Sequence, residues 1–243
     1  MATNPELEKS AKIEYQGQIV VIVLGPPGAG KGTQCRMLAG NLRVPHISTG
    51  EILRENIRRD TELGRRIKAT TEEGRLVPDD LVMNMLIERI DEVDCAEGFV
   101  LDGFPRTREQ AALLDLGFSA QADARQNSQQ LVVRLIVSQR CLLNRLAGRK
   151  VCPVCQTVYG VHQNQPRMPG MCDADGSLLV TRQDDREETI AERLRIFDQQ
   201  ISPIVDHYAR RCCVLEIDGD RPVDEVTSGI LRTIPESWRL AIP

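Results

Sequence analysis

Residues 25–33 read Gly-Pro-Pro-Gly-Ala-Gly-Lys-Gly-Thr, and this stretch decides the fold. An apolar run at 19–24, Ile-Val-Val-Ile-Val-Leu, precedes it and reads as a buried strand. A helical pattern follows at about residues 34–41. Strand, glycine loop, helix is the setting that gives such a loop its meaning. Glycines let successive backbone N–H groups turn inward as an anion-binding nest. The next helix adds its positive N-terminal dipole. Lys31 adds a point charge for the outer phosphates, so the loop predicts a nucleoside triphosphate site. Gly32 stands where Ser or Thr commonly follows the lysine, which leaves Thr33 as the hydroxyl on the magnesium side.

Further apolar runs at 45–47, 99–101, 131–137 and 213–217 read as buried parallel strands separated by helical patterns. This alternation predicts an α/β fold, a three-layer sandwich on a five-stranded parallel sheet. Asp79 or Asp80 is placed to cap a helix running to about Asp91. Thr107 is placed to cap another over 108–116, which Gly117 ends. Residues 184–211 read as one long helix containing Pro203. Two stretches stand outside this scheme: a helical insertion rich in Arg and Glu at 48–73, and an aperiodic one at 151–180. Residues 121–130 read as a polar surface loop.

The chain has 243 residues, 41% apolar but only 3% aromatic, so its core is built from Leu, Ile and Val. The net charge of −4 argues against a polyanion-coating protein. No apolar run approaches the ~18 residues of a membrane span, and residues 1–18 lack the apolar segment of a signal peptide. A soluble cytoplasmic protein is expected, without nucleic-acid or membrane partners. Of the eight cysteines, Cys35, Cys95, Cys141, Cys212 and Cys213 fall in expected helices or strands, where a thiol is an ordinary small apolar group.

Cys152, Cys155 and Cys172 instead lie together in the aperiodic stretch at metal-ligand spacing. With Asp175 as fourth ligand they form a closed tetrahedral set suited to structural zinc. His162 is the competing fourth ligand. A second phosphate-site feature is Leu-Asp-Gly-Phe-Pro-Arg at 101–106, an apolar strand ending in a carboxylate. Asp102 then sits at the carboxyl edge of the sheet, where the glycine loop also lies, and is suited to hold magnesium directly or through water. Phosphoryl transfer asks for positioned cations more than covalent chemistry. Arg54, Arg106, Arg145, Arg149, Arg182 and Arg193 are candidates for that work, although pattern alone does not separate them from solvated arginines.

Taken with Ile-Ser-Thr-Gly-Glu-Ile-Leu-Arg at 47–54 and Thr-Arg-Gln-Asp-Asp at 181–185, these motifs resemble the adenylate kinase family, in its bacterial long-lid form. The resemblance runs from about residue 19 to residue 234. The family has Gly between Lys and Thr, which accounts for Gly32. The resemblance implies reversible transfer of the γ-phosphoryl of Mg·ATP to AMP, giving two ADP. It implies a core of residues 19–47, 78–147 and 186–234, an AMP-binding insertion at 48–77 and a lid at 148–185. Residues 1–18 and 235–243 would be extensions. Gly28, Ala29, Gly30, Lys31, Gly32 and Thr33 would cradle the ATP phosphates, with Arg149, Val158, Tyr159 and Arg221 also on ATP and Arg145 stacked on its adenine. Thr49, Arg54, Arg75, Leu76, Val77, Gly103, Phe104, Pro105, Arg106 and Gln110 would bind AMP. Arg182 and Arg193 would reach both AMP and the transferring phosphate.

Lys31, Asp102, Arg106, Arg145, Arg149, Arg182 and Arg193 form the catalytic set this implies, with magnesium as cofactor. Cys152, Cys155, Cys172 and Asp175 match the zinc-bearing lid. The family default is a monomer. The chain departs at Gly160, where many long-lid members have His, and at Arg140, where many are acidic. The competing reading is a GTP-dependent AMP kinase or another nucleoside monophosphate kinase. A zinc-ribbon nucleic-acid binder fits poorly, since residues 151–180 hold one arginine, one tyrosine and no lysine.

Overall fold

A computed structural model of the protein describes residues 18–120, 129–160 and 164–234. Five parallel strands form one sheet: β1 (Ile19–Leu24), β2 (His46–Ser48), β3 (Gly98–Asp102), β4 (Gln129–Ile136) and β7 (Cys213–Asp218), in the order β2-β3-β1-β4-β7. Every residue of β1 and β3 is buried, as their unbroken apolar runs require for strands covered on both faces. A separate two-stranded hairpin, β5 (Lys150–Val151) and β6 (Val158–Tyr159), lies in the cysteine-bearing segment.

Two apolar cores sandwich the sheet. Val21 and Val23 face α1 (Lys31–Leu42), α6 (Gln139–Ala147) and α8 (Val223–Thr233) through Leu38, Leu142 and Ile230. Val20 and Ile22 face α4 (Asp79–Ile90), α5 (Arg108–Ala120) and α7 (Glu187–Ala209) through Leu86, Leu114, Ile201 and Tyr208. The insertion at 48–73 is a pair of short helices, α2 (Thr49–Arg58) and α3 (Glu62–Glu72), capped by Ser48 and Thr61. β1 has β3 on one side and β4 on the other, so chain direction across the sheet reverses at its carboxyl end. That crevice is where open α/β sheets bind ligands.

Several element boundaries differ from the sequence-based expectation. Helix α1 starts at Lys31, not near residue 34, because Gly30 takes the left-handed conformation and turns the chain directly into the helix. Thr107 Oγ1 does accept from the Gln110 amide, but α5 continues through Gly117 to Ala120. Asp79 and Asp80 open α4 from within its first turn, since Pro78 occupies the cap. Helix α7 begins at Glu187, after a 3-10 turn over Gln183–Asp185, and retains Pro203 inside. Cys95 lies in a 3-10 turn after α4, where it is fully buried. Gln129 and Gln130 belong to β4, not to a loop, and 121–128 lie outside the described residues. No described helix is long and apolar enough to cross a membrane. His162 and Trp238 also lie outside the described residues.

Candidate active site

The glycine loop leaves β1 at Gly25, and its left-handed turns fall at Gly28 (φ 83°) and Gly30 (φ 90°). A side chain at Gly28 would also collide with Leu146, 2.8 Å from its Cβ position. Lys31 Nζ donates to the carbonyls of Gly25 and Pro26 at 2.8 and 3.0 Å, curling back over its own loop. Burial lowers its pKa to about 8, against the opposing charge of Asp102. Gly32 has a local reason: a Cβ there would stand 3.2 Å from Asp102 Oδ2. The loop and the strand-end carboxylate therefore meet, as the sheet topology predicts. Burial tends to raise the Asp102 pKa, but His46, Lys31 and Arg106 together hold it below the usual carboxylate range.

Two adjoining cavities open at this edge of the sheet, one of them beside the loop. One, of about 590 Å³, is lined by Thr49, Arg54, Arg75, Leu76, Val77 and Gln110 among others. The second, of about 650 Å³, runs past Gly25, Pro27, Lys31 and Pro105 to an apolar wall on α7. Gly74, Leu76, Gly103, Phe104, Arg106 and Arg193 line both, so the cavities share a guanidinium boundary. Thr49 Oγ1 donates to Gly103 O at 3.1 Å, and Arg106 Nε donates to the same carbonyl at 2.7 Å. The Gln110 amide accepts from the Arg106 backbone N–H (2.7 Å) and donates to Asp79 (2.6 Å), which fixes its orientation.

Charge is concentrated here. Arg106 lies deep in the cleft yet open to its solvent; burial and repulsion from Arg193 and Arg54 draw its pKa down to about 10. Arg182 is drawn down to about 9 by burial, Arg54 and Arg149. Its Nε is buried and has no hydrogen-bond partner. Asp184 and Asp185 are the nearby counter-charges, and four arginines hold Asp184 ionised against its burial. Arg193 Nη1 donates to Asp184 O at 2.7 Å and lies 3.1 Å from Asp185 Oδ1. Five guanidiniums, those of Arg54, Arg106, Arg149, Arg182 and Arg193, and the Lys31 ammonium thus face four carboxylates, those of Asp184, Asp185, Asp102 and Glu51. Such an excess favours polyanionic ligands, whose binding relieves the repulsion.

Other predicted residues are placed differently. Arg145 stands apart from that cluster, donating to Ala29 O (3.4 Å) and Gly219 O (2.8 Å), so it ties the glycine loop to the end of β7. Arg221 pairs with Asp218 on the exposed surface of that same turn. Val158 lies in the β5–β6 hairpin. The Tyr159 ring is buried within the cysteine knuckles, where its hydroxyl donates to Cys172 Sγ (3.4 Å) and accepts from Asp173 N (2.8 Å). Arg145, Val158, Tyr159 and Arg221 line neither cavity. Sequence reasoning assigned no role to Asp184, Asp185 or Gly74, although the acidic pair is plain in the 181–185 motif.

In the cysteine segment, one ligand atom each from Cys152, Cys155, Cys172 and Asp175 lies within 4.8 Å of the others. The Val154 and Cys155 N–H groups point at Cys152 Sγ (3.4 and 3.3 Å), and Ser177 N donates to Asp175 Oδ1 (2.9 Å). Three thiolates and a carboxylate with such backbone support fit a closed tetrahedral zinc site. Cys155 and Cys172 Sγ stand 3.4 Å apart, and the seven cysteines whose state is described are all free.

A phosphate-binding loop at the switch point of a parallel sheet, faced by clustered arginines and two adjoining cavities, defines a P-loop phosphotransferase. The adenylate kinase family model matches residues 23–213. The chain is 43% identical over 219 residues to an adenylate kinase of Moorella thermoacetica, covering 90% of this chain and 99% of the relative. It is 41% identical over 214 residues to one of Lachnospira eligens, with 88% and 99% covered. An adenylate kinase of Finegoldia magna is 42% identical over 211 residues, with 87% and 96% covered. The chain belongs to the adenylate kinase family.

Proposed function

We propose that the chain transfers the γ-phosphoryl of Mg·ATP to AMP, reversibly, giving two ADP. The observation that carries this reading is the guanidinium boundary: Arg106 and Arg193 line both cavities, one beside the glycine loop and one beside Thr49. Two nucleotides bound head to head across that boundary would meet at their phosphates. The larger cavity, which Lys31 lines, takes the donor phosphates, with the Gly28–Thr33 backbone amides beside it and Arg145 outside it on the adenine. The cavity with Thr49, Arg54, Arg75, Leu76, Val77, Gly103, Phe104 and Gln110 takes AMP.

No covalent intermediate is needed, because an AMP phosphate oxygen is the attacking group. Lys31 and the loop amides hold the donor phosphates. Arg54 and Arg106 orient the acceptor, while Arg149, Arg182 and Arg193 spread charge over the transferring group. The orphaned Nε of Arg182 supports an anion at its tip. Magnesium enters with ATP and supplies charge neutralisation, and Thr33 and Asp102 are the residues suited to hold its hydration shell.

Residues 148–185 act as a lid stapled by zinc on Cys152, Cys155, Cys172 and Asp175, and residues 48–77 as the AMP-side flap. Among the described residues, the buried cluster of the cysteine segment is Cys152, Tyr159 and Cys172, with Leu179 packed against it. So small a core supports the need for a metal staple. Closure would exclude water, which otherwise hydrolyses ATP. The proposed setting is a cytoplasmic monomer working on free ATP, AMP and ADP.

The test is a panel of nucleoside monophosphates with Mg·ATP, following ADP, then ATP against GTP as donor with AMP. Efficient use of AMP and ATP is expected. Preference for another acceptor, or for GTP, would place the chain with the other nucleoside monophosphate kinases.

A further inference from the structure

Beneath the glycine loop lies a second set of metal-type ligands. His46 opens β2 and Asp102 ends β3; the register pairs His46 with Val100 and Ser48 with Asp102, so His46 and Asp102 point to one face of the sheet. Helix α1 packs on that face through Cys35, which is fully buried. Cys35 Sγ, a ring nitrogen of His46 and a carboxylate oxygen of Asp102 all lie within 4.8 Å of one another. His46 Nε2 is buried without a hydrogen-bond partner and stands 3.5 Å from Asp102 Oδ2.

We propose that Cys35, His46 and Asp102 form a second metal site, which captures a zinc-type divalent cation and thereby inhibits the enzyme. In a tetrahedral zinc complex, bonds of about 2.0–2.3 Å put ligand atoms roughly 3.3–3.8 Å apart. His46 Nε2 and Asp102 Oδ2, 3.5 Å apart, already stand at such a distance, and the Cys35 sulfur, within 4.8 Å of both ligands, has at most about 1.5 Å to close, within reach of side-chain rotation. One thiolate, one imidazole and one carboxylate form a three-ligand set that keeps a fourth position for water. A thiolate and an imidazole select zinc over magnesium, which prefers oxygen ligands. The route in passes Gly32, whose missing side chain leaves Asp102 Oδ2 open toward the loop. Lys31 does not block it, because its ammonium is turned onto Gly25 O and Pro26 O. Capture forms Zn–S, Zn–N and Zn–O bonds, displaces water from the ion and releases the Cys35 thiol proton to solvent. Inhibition follows from engaging Asp102, and that consequence alone rests on its role in the proposed reaction.

The test measures zinc bound per chain by equilibrium dialysis of the full-length protein at saturating zinc, together with ADP-forming activity over a zinc titration. The wild-type chain should hold one ion more than Cys35→Ala or His46→Gln. Both variants should fold, with thermal midpoints lowered by no more than a few degrees for the small cavity left at Cys35, and without added zinc should keep turnover within about twofold of wild type. The zinc concentration for half inhibition should rise at least about tenfold in each, no less than loss of an outer partner costs a metal site. Equal zinc content in the three proteins overturns the proposal. An ion lost from Cys35→Ala alone, with unfolding, and retained by folded His46→Gln overturns it as well. A missing ion without any change in inhibition would leave the site standing and refute the role of Asp102.

Discussion

Arg149 and Asp185 hold each other across the base of the cysteine segment, with Arg149 Nε donating to Asp185 Oδ2 at 2.6 Å and Nη2 donating to Oδ1. The two residues sit at opposite ends of the stretch 148–185, and the Asp185 side chain is fully buried. Arg193 on α7 shares the same carboxylate. One aspartate therefore joins both ends of the segment to the core. Removing its charge leaves the partly buried Arg149 guanidinium without this carboxylate and Arg193 with Asp184 alone. Asp185→Asn is expected to destabilise the protein by about 3 kcal/mol, seen as a lower denaturant midpoint. An unchanged midpoint would show that the clamp carries no net stability.

Arg106 touches both cavities and is held by Gly103 O, so truncation removes a positioned charge without opening the core. Arg106→Ala is expected to lower turnover at least about 10²-fold while melting normally. Turnover near the wild-type value would remove Arg106 from the transfer site.

Lys31 makes donor binding pH-dependent. Burial lowers its pKa to about 8, so the ammonium is present below that pH and lost above it. Bound phosphates favour the charged form, so ATP binding takes up a proton above pH 8. Affinity for ATP should be flat from pH 6.5 to 7.5 and then fall by up to about tenfold per unit above 8. Titrating ATP across that range checks the sign, and Lys31→Met should bind weakly with no such slope.

Gly74 closes the loop after α3 with φ 73°, and a Cβ there would stand 2.8 Å from both Arg193 Cγ and Thr189 Cγ2. Gly74→Ala should cost about 1–3 kcal/mol in strain and push the 48–77 segment off α7. The expected signature is a raised KM for AMP with the KM for ATP little changed. Equal changes in both would place the damage elsewhere.

The cysteine knuckles should lose their ion on Cys155→Ser, lowering zinc content by one per chain and lowering the thermal midpoint. Cys155 is an exposed member of the set, so packing loss is small and the metal term dominates. Retained zinc with an unchanged midpoint would refute the staple.

Much of this protein is written locally. The phosphate loop, the strand before it and the knuckle ligands are short-range features, and backbone conformation with fixed spacing suffices to read them. The run at 19–24 gave its strand to the residue, because an unbroken apolar stretch buried on both faces has no competing period. Helix ends were less legible. Gly117 reads as a stop, yet α5 continues, since one glycine within a packed helix costs only about 1 kcal/mol.

Sequence by itself therefore determined the sheet, the anion-binding loop and the zinc-type ligand set, each carried by neighbouring residues. Tertiary structure alone decided which arginines converge. Arg54, Arg106, Arg182 and Arg193 gather around Asp184, whereas Arg145 goes to Gly219. It also brought Cys35, His46 and Asp102 together from one helix and two strands. Pattern cannot reveal such meetings, because they depend on how strands pair and helices pack across long stretches of chain, not on the identity of adjacent side chains.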